Sequence, residues 1–320
     1  MSAALGDHIL KVVAYFDLFN YPVTKEEIHF FLHRTVKKHQ LYRDLEELTL
    51  NGYLFCEREF YSLKNDPSLA EKRIRANEKA RTLLTTAHKL SKFLFAFPFV
   101  RGVGISGSLS KYFADEKADI DYFIITHRNK LWISRTILHA FKKLSFITGH
   151  QHWFCMNYFV DEDALCIEEK NIFTATELVT LMPMCGTSTM ESFFRANDWS
   201  DHYFPNHVTK PAMHPTVAGQ YNFKRLLESI FNNRWGDRLD DYFMRLTSRR
   251  WLEKEEKNKL NIKGNRMGLK TGKHFSKPKP AFFQEKILSR YNNKLNEYKK
   301  RWEELDLQQN QGLFRKEIMK

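Results

Sequence analysis

The chain has 320 residues, enough for two or three domains, and 42% of them are hydrophobic, 27 being phenylalanine, so wholesale disorder is excluded and an aromatic-rich core is expected. Its net charge of +13 is unevenly spread: residues 257–301 alone hold 14 basic and 2 acidic side chains, net +12, a segment suited to a polyanion such as nucleic acid, nucleotide phosphates or an acidic lipid surface. No run approaches the roughly 18 uncharged apolar residues of a transmembrane helix, and MSAALGDHILKVV lacks the basic and apolar order of a signal peptide. Four scattered cysteines (Cys56, Cys155, Cys166, Cys185) form no CxxC pair, which argues against a disulfide framework or a zinc ribbon and for a reduced, cytoplasmic protein.

Residues 7–63 read as three helices and a hairpin. Asp7 to Phe19 carries Ile9, Val12, Val13 and Phe16 at helical spacing, and Asn20-Tyr21-Pro22 breaks it. Thr24-Lys25-Glu26-Glu27 is a capping box that starts a second helix through His33. A third helix, Val36 to Leu50, points Leu41, Leu45 and Leu48 inward and ends at Asn51-Gly52. Tyr53–Cys56 and Phe60–Leu63 then pair around Glu57–Glu59. This is the winged-helix order, which implies a module over 1–66. The module is net −2, and its third helix carries Asp44, Glu46 and Glu47, so protein contact or packing is favoured over a major-groove reader. Residues 67–97 form a long helix within a connecting segment, 67–98, with Leu83, Ala87, Leu90, Leu94 and Phe97 on one stripe and Lys72, Arg73, Arg75, Lys79 and Arg81 on a solvated face.

Residues 99–126 read FVRGVGISGSLSKYFADEKADIDYFIIT. Gly102–Ser106 is a strand, Gly107-Ser108 a tight turn, and Ser108 the N-cap of a helix through Phe113. Ala118–Thr126 is a second strand whose period of two sets Asp119 and Asp121 on one face. Adjacent same-face carboxylates repel unless a cation lies between them, and a divalent metal suits the pair. Gly102-Val103-Gly104-Ile105-Ser106-Gly107 also matches GxGxxG, but Pro98 stands where a preceding central strand is needed, and the glycines fall inside the strand itself.

Ten residues separate Ser108 from Asp119-Ile120-Asp121. The pattern resembles the signature of the DNA polymerase beta-like nucleotidyltransferase superfamily, a Gly-Ser turn followed at such a spacing by Asp-hydrophobic-Asp. The resemblance implies an α+β protein with a small mixed-sheet core over 99–173, using Mg²⁺ (two ions, or Mn²⁺ in their place) to move a nucleoside monophosphate from an NTP to an acceptor with release of pyrophosphate. It implies Asp119 and Asp121 as metal ligands, and Gly107 and Ser108 against the triphosphate at a helix N-terminus. Lys111, one turn on, and Arg135, on the next helix (130–147), are cationic candidates or surface residues.

The superfamily also supplies a third acid from a later strand. The next strand here, Trp153–Val160, presents Asn157 at that place, and Asn is not a base. Glu168, ending a strand Ala164–Glu168, or the loop acids Asp161, Glu162 and Asp163 are the alternatives. His150, His152 and Cys155 carry metal-ligand atoms with no fourth partner, which suits a hydrogen-bonded cluster better than zinc.

The C-terminal part reads as a helical domain over 174–256: Thr174–Met184, Met190–Asn197 and about Asn222–Lys259, with a Pro/His-rich loop at 200–217. Phe223, Leu226, Leu227, Ile230 and Phe231 form an apolar stripe expected in the core. Within 257–320, residues 260–281 read as an extended basic arm and Phe282–Leu305 as an amphipathic helix with Ile287, Tyr291, Leu295 and Tyr298 on one face. The arm and helix suit either a clamp on phosphates or a nucleic-acid acceptor, or a tail whose helix packs back on the body.

Overall fold

The computed structural model describes residues 3–116, 118–145, 153–207, 222–257 and 268–318. It is a mixed α+β structure whose chain divides into two compact units, one of residues 1–74, 201–208 and 285–320, the other of residues 75–200 and 209–284.

The first unit begins with three helices, α1 (Ala3–Asp17), α2 (Lys25–Phe31) and α3 (Lys38–Leu50), and a hairpin, β1 (Phe55–Glu57) and β2 (Phe60–Ser62). The capping box is present in full: the Glu27 backbone N–H donates to Thr24 Oγ1, and the Thr24 N–H donates to the Glu27 carboxylate. Ile9, Val13, Phe16, Ile28, Leu41 and Leu45 are buried, so the periodic positions do face inward. Arg73 departs from its expected solvated face. It is 3% exposed, its guanidinium lies 3.6 Å from the Tyr21 ring centroid, and it donates to the Pro22 carbonyl and to Glu27. The last helix, α10 (Gln284–Ile318), returns to this unit. Tyr291 stacks edge-on against Tyr15 and donates to the Lys11 carbonyl, while Lys294 pairs with Asp17.

Helix α4 (Ser68–Phe95) starts in the first unit and runs on into the second, where Ala80, Ala87 and Leu94 are fully buried against the sheet core. That sheet has six strands in the order β6-β3-β4-β5-β8-β7: β3 (Val100–Ser106), β4 (Asp121–Thr126), β5 (Cys155–Asp161), β6 (Met182–Cys185), β7 (Leu269–Thr271) and β8 (Phe275–Pro278). Only β4 and β5 are parallel, and the crossover such a pair requires is α5 (Leu131–Ser145). Two glycines of the GxGxxG match lie inside β3 and admit neighbours: a Cβ on Gly102 would meet Met190 Sδ at 3.2 Å, and one on Gly104 would meet the Leu181 side chain at 3.2 Å.

Several elements differ from expectation. Residues 172–185 split into α6 (Ile172–Thr180) and strand β6, which contains Pro183. Proline is tolerated because β6 is at the edge of the sheet, with no further strand beside it among the described residues. Helix α7 (Thr187–Ala196) follows. The helix expected over 222–259 breaks into α8 (Asn222–Phe231) and α9 (Arg234–Glu256), because the Asn233 side chain accepts from the Trp235 and Gly236 N–H groups and starts a new helix. No strand forms over 164–168. Of the basic arm, 260–267 lies outside the described residues, and the rest is a β7–β8 hairpin added to β5. Three of its lysines are used in ion pairs: Lys270 and Lys277 with Glu169, and Lys279 with Glu255.

Asp240, 2% exposed on α9, caps α5 from outside by accepting from the Ile133 N–H at 2.7 Å. Burial pushes its carboxyl up to about 7, against the pull of the Ile133 and Trp132 amides. The native state then keeps a proton between about pH 4 and pH 7 that the unfolded chain has released, so stability falls as pH rises through that window, by up to about 4 kcal/mol. Asp240→Asn keeps the acceptor oxygen without the titration. Urea unfolding at a series of pH values should show a shallower decline from pH 4 to 7 in the variant than in the parent chain.

Candidate functional site

The pairing of β3 with β4 sets Ser106 opposite Asp121. The turn after β3 therefore lies beside the first carboxylate of β4. Gly107 has φ +70°, and a Cβ there would come within 2.6 Å of Asp121 Oδ2. Glycine thus answers two demands at once, a left-handed backbone and a carboxylate resting against its Cα.

The helix expected after this turn does not form. Ser108 is exposed, has helical dihedrals and makes no side-chain cap bond; a single 3₁₀ turn, Leu109–Lys111, follows and ends at Tyr112, whose φ is +55°. Ser110 Oγ and Lys111 Nζ both donate to the Gly107 carbonyl, closing a compact turn instead of starting a helix. So short a turn has no helix dipole to offer a phosphate. The Gly107 N–H is also engaged: it donates to Glu177 Oε2 at 3.2 Å, and Lys111 Nζ binds Glu177 Oε1 at 2.8 Å. A backbone amide and an ammonium here hold an anion, and the anion is the chain's own carboxylate.

Strand β4 begins at Asp121, so Asp119 lies in the segment before it and not on the strand. Both carboxylates nevertheless act on one group. Cys155 pairs with Asp121 across the parallel β4–β5 ladder. Burial, then the charge of Asp121, its hydrogen bond with the thiol, and the charge of Asp119 push the Cys155 thiol up to about 12, against the pull of Lys142. The Asn157 amide donates to Cys155 Sγ at 2.9 Å, so Asp121, Cys155 and Asn157 form a connected polar line. His150 and His152, grouped with Cys155 in the sequence, lie outside the described residues.

Asp121 and Asn157 border a cavity of about 260 Å³, with Ser106 and Gly107 at its edge. Its apolar walls include Tyr158, Phe173, Leu178, Phe193 and Phe283. Glu177, Glu169, Lys277 and Lys279 supply further charge. Burial acts to raise the Glu169 carboxyl, but its bonds to Lys277 and Lys270 outweigh that and hold it below the usual range. Glu177 and Glu169 were missed in the sequence. Glu177 did carry a signal: it is the only charged residue of α6, and a lone carboxylate in an apolar helix must find a partner.

The other candidates lie elsewhere. Glu168 is largely exposed, 3.6 Å from Lys270, and does not border the cavity. Arg135 is buried, with its guanidinium over the Trp132 and Phe159 rings and its pKa lowered to about 10 by burial. Asp161 ends β5 opposite Thr126, at the far end of β4 from Asp121 and roughly 15–20 Å away along the strands. It is fully buried and accepts from His274 Nδ1 at 2.8 Å and from the Asn129 and Asp163 N–H groups at 3.0 Å each. Asp161, Asp163 and His274 bring ligand atoms within 4.8 Å of one another, the one such cluster of three found among the described residues. Neither Asp161, Asp163 nor the intervening Glu162 joins the Asp119 and Asp121 group.

Comparison with family models, curated proteins and solved structures found no match for this chain.

The thiolate is the form that attacks an alkylating reagent. At pH 8, Cys56 and Cys166, both exposed, should alkylate well before Cys155. Asp121→Asn removes the charge that, after burial, does most to raise the Cys155 thiol, and should speed its labelling, read by peptide mass spectrometry. An unchanged Cys155 rate would show that the Asp121 carboxylate does not act on it.

Proposed function

We propose that the β3–β4–β5 region is a nucleotidyltransferase-type core that binds an NTP with Mg²⁺ and transfers its nucleoside monophosphate to an acceptor. The observation that carries this reading is the meeting of Gly107 with the Asp121 carboxylate beside an aromatic-walled cavity, with Asp119 and Asp121 both acting on Cys155. The donor set suits a hard cation: two carboxylates close enough to perturb one thiol concentrate negative charge, and carboxylate oxygens are the ligands Mg²⁺ or Mn²⁺ takes. Asp119 and Asp121 would hold it, and the bound ion would neutralise phosphate charge and acidify the acceptor hydroxyl.

The chain's own residues supply the rest. Tyr158, Phe173 and Phe283 offer ring faces on which a base stacks. The Gly107 N–H and Lys111 ammonium, now closed by Glu177, form an anion seat that a phosphate oxygen takes when Glu177 withdraws. Asn157 cannot accept a proton, so removal of the acceptor proton falls to a carboxylate from outside β5, Glu177 or Glu169. The three helices and hairpin of the first unit read as a winged helix, and the acids on α3 favour protein contact over DNA. Small molecules, protein hydroxyls and nucleic acids all suit as acceptors.

A second reading, a winged-helix transcriptional regulator or nucleotide sensor without turnover, draws on the same Asn157 and on the filled anion seat. Incubation with Mg²⁺ and each α-labelled NTP separates the two. Pyrophosphate release or label transfer that falls by about two orders of magnitude in Asp119→Ala and in Asp121→Ala supports the transferase. Mg²⁺-dependent binding without release supports the sensor. Failure of every NTP to bind in the presence of Mg²⁺ sinks both.

A further inference from the structure

Helix α8 is turned inside out. Its polar side faces the protein: Lys224 donates to the Phe95 and Val100 carbonyls, while Glu228 accepts from the Phe99 N–H and from both terminal nitrogens of Arg101. Of the five apolar residues expected in the core, three face out: Phe223 is 69% exposed, Leu226 58% and Ile230 51%; Leu227 and Phe231 are half-buried, and no residue of α8 is fully buried. At 100° per residue these three side chains fall within one narrow sector of the helix.

Helix α9, packed against α8, adds a second outward stripe. Trp235, Arg238, Tyr242, Arg245, Arg249 and Leu252 recur every three or four residues, and all six are exposed. The buried side of α9 carries Gly236 and Asp240. Over residues 222–252 the exposed charged residues are six arginines (225, 234, 238, 245, 249 and 250), and the exposed acid Glu253, which follows directly, lies 3.9 Å from Arg249. Two of the acids are held by the protein, Asp240 capping α5 and Glu228 meeting Arg101, while Asp237 pairs with Lys130 with its side chain half exposed and Asp241 is half-buried.

We infer that α8 and α9 form a docking face for an anionic lipid surface. Phe223, Leu226 and Ile230 enter the boundary between headgroups and acyl chains, Trp235 and Tyr242 sit at headgroup depth, and the arginines meet lipid phosphates. Charge decides among occupants. A second copy of the same face would set arginine against arginine. A nucleic acid would engage the arginines and aromatic rings but has no use for exposed Leu226, Ile230 and Leu252, whose burial favours an apolar phase. This inference does not depend on nucleotide binding.

The test is flotation of the full chain with vesicles of phosphatidylcholine alone and of phosphatidylcholine mixed with phosphatidylglycerol. The chain should float with the mixed vesicles and stay behind with the neutral ones, and added salt should weaken binding. Phe223→Ser with Ile230→Ser should reduce the partition coefficient about tenfold or more. Each of Arg225→Gln, Arg234→Gln and Arg238→Gln should reduce it about fivefold. The thermal midpoint of the Ser variants should stay where it is, since the replaced side chains are exposed; a clear drop would mean the fold itself covers this face and would overturn the inference. So would any of four other results: no flotation, equal flotation with both vesicle types, flotation unaffected by these variants, or a dimer or oligonucleotide complex that the Ser variants abolish.

Discussion

A missing carbon at residue 107 governs the arrangement around the cavity. The β3–β4 register brings the end of one strand against the start of the next, and the Asp121 carboxylate then occupies the space a Cβ would need. With glycine there, the carboxylate rests on the backbone, the Gly107 amide is left pointing at Glu177, and Lys111 folds back over the Gly107 carbonyl to share the same anion. A larger residue would face both a 2.6 Å contact and a left-handed backbone. One absent side chain thereby couples β3, β4 and α6.

Charge is distributed by a related rule. A charge drawn out of water persists in a fold when a partner of opposite sign replaces the lost hydration, and several buried or half-buried ions here are paired in that way: Lys111 with Glu177, Lys277 with Glu169, Arg101 with Glu228, Lys130 with Asp237. These pairings use up much of the basic charge that looks available in the sequence. The lysines of β7 and β8 serve neighbouring acids, whereas six arginines of α8 and α9 are exposed and Glu228 and Asp240 of those helices are bound by the protein. The electrostatic surface therefore does not follow the charge profile of the chain.

Much of the local structure was legible in advance. The Thr24 and Glu27 capping box, the stripe of α4, the break after Asn51, and the turn at Gly107 all arise between residues a few positions apart, where the dominant energies are backbone hydrogen bonds and side-chain reach. The Ser108 helix misled because the side chains of Ser110 and Lys111 both donate to the Gly107 carbonyl and close the turn in 3₁₀ geometry. Pro183 lies in a stretch expected to be helix, Thr174–Met184, and the edge position of β6 makes a strand there acceptable.

The sequence by itself determined the capping box that starts α2, which glycine carries the sharp turn, and that Asp119 and Asp121 stand two positions apart beyond it. Those features depend on neighbours in the chain. Tertiary structure alone decided that β7 and β8 join the sheet through β5, that Glu177 closes on Gly107, that Asp161 belongs to the opposite end of the sheet, and that α8 turns Phe223, Leu226 and Ile230 outward. Each of these links residues tens of positions apart or more, and periodicity records how apolar a face is without recording what packs against it.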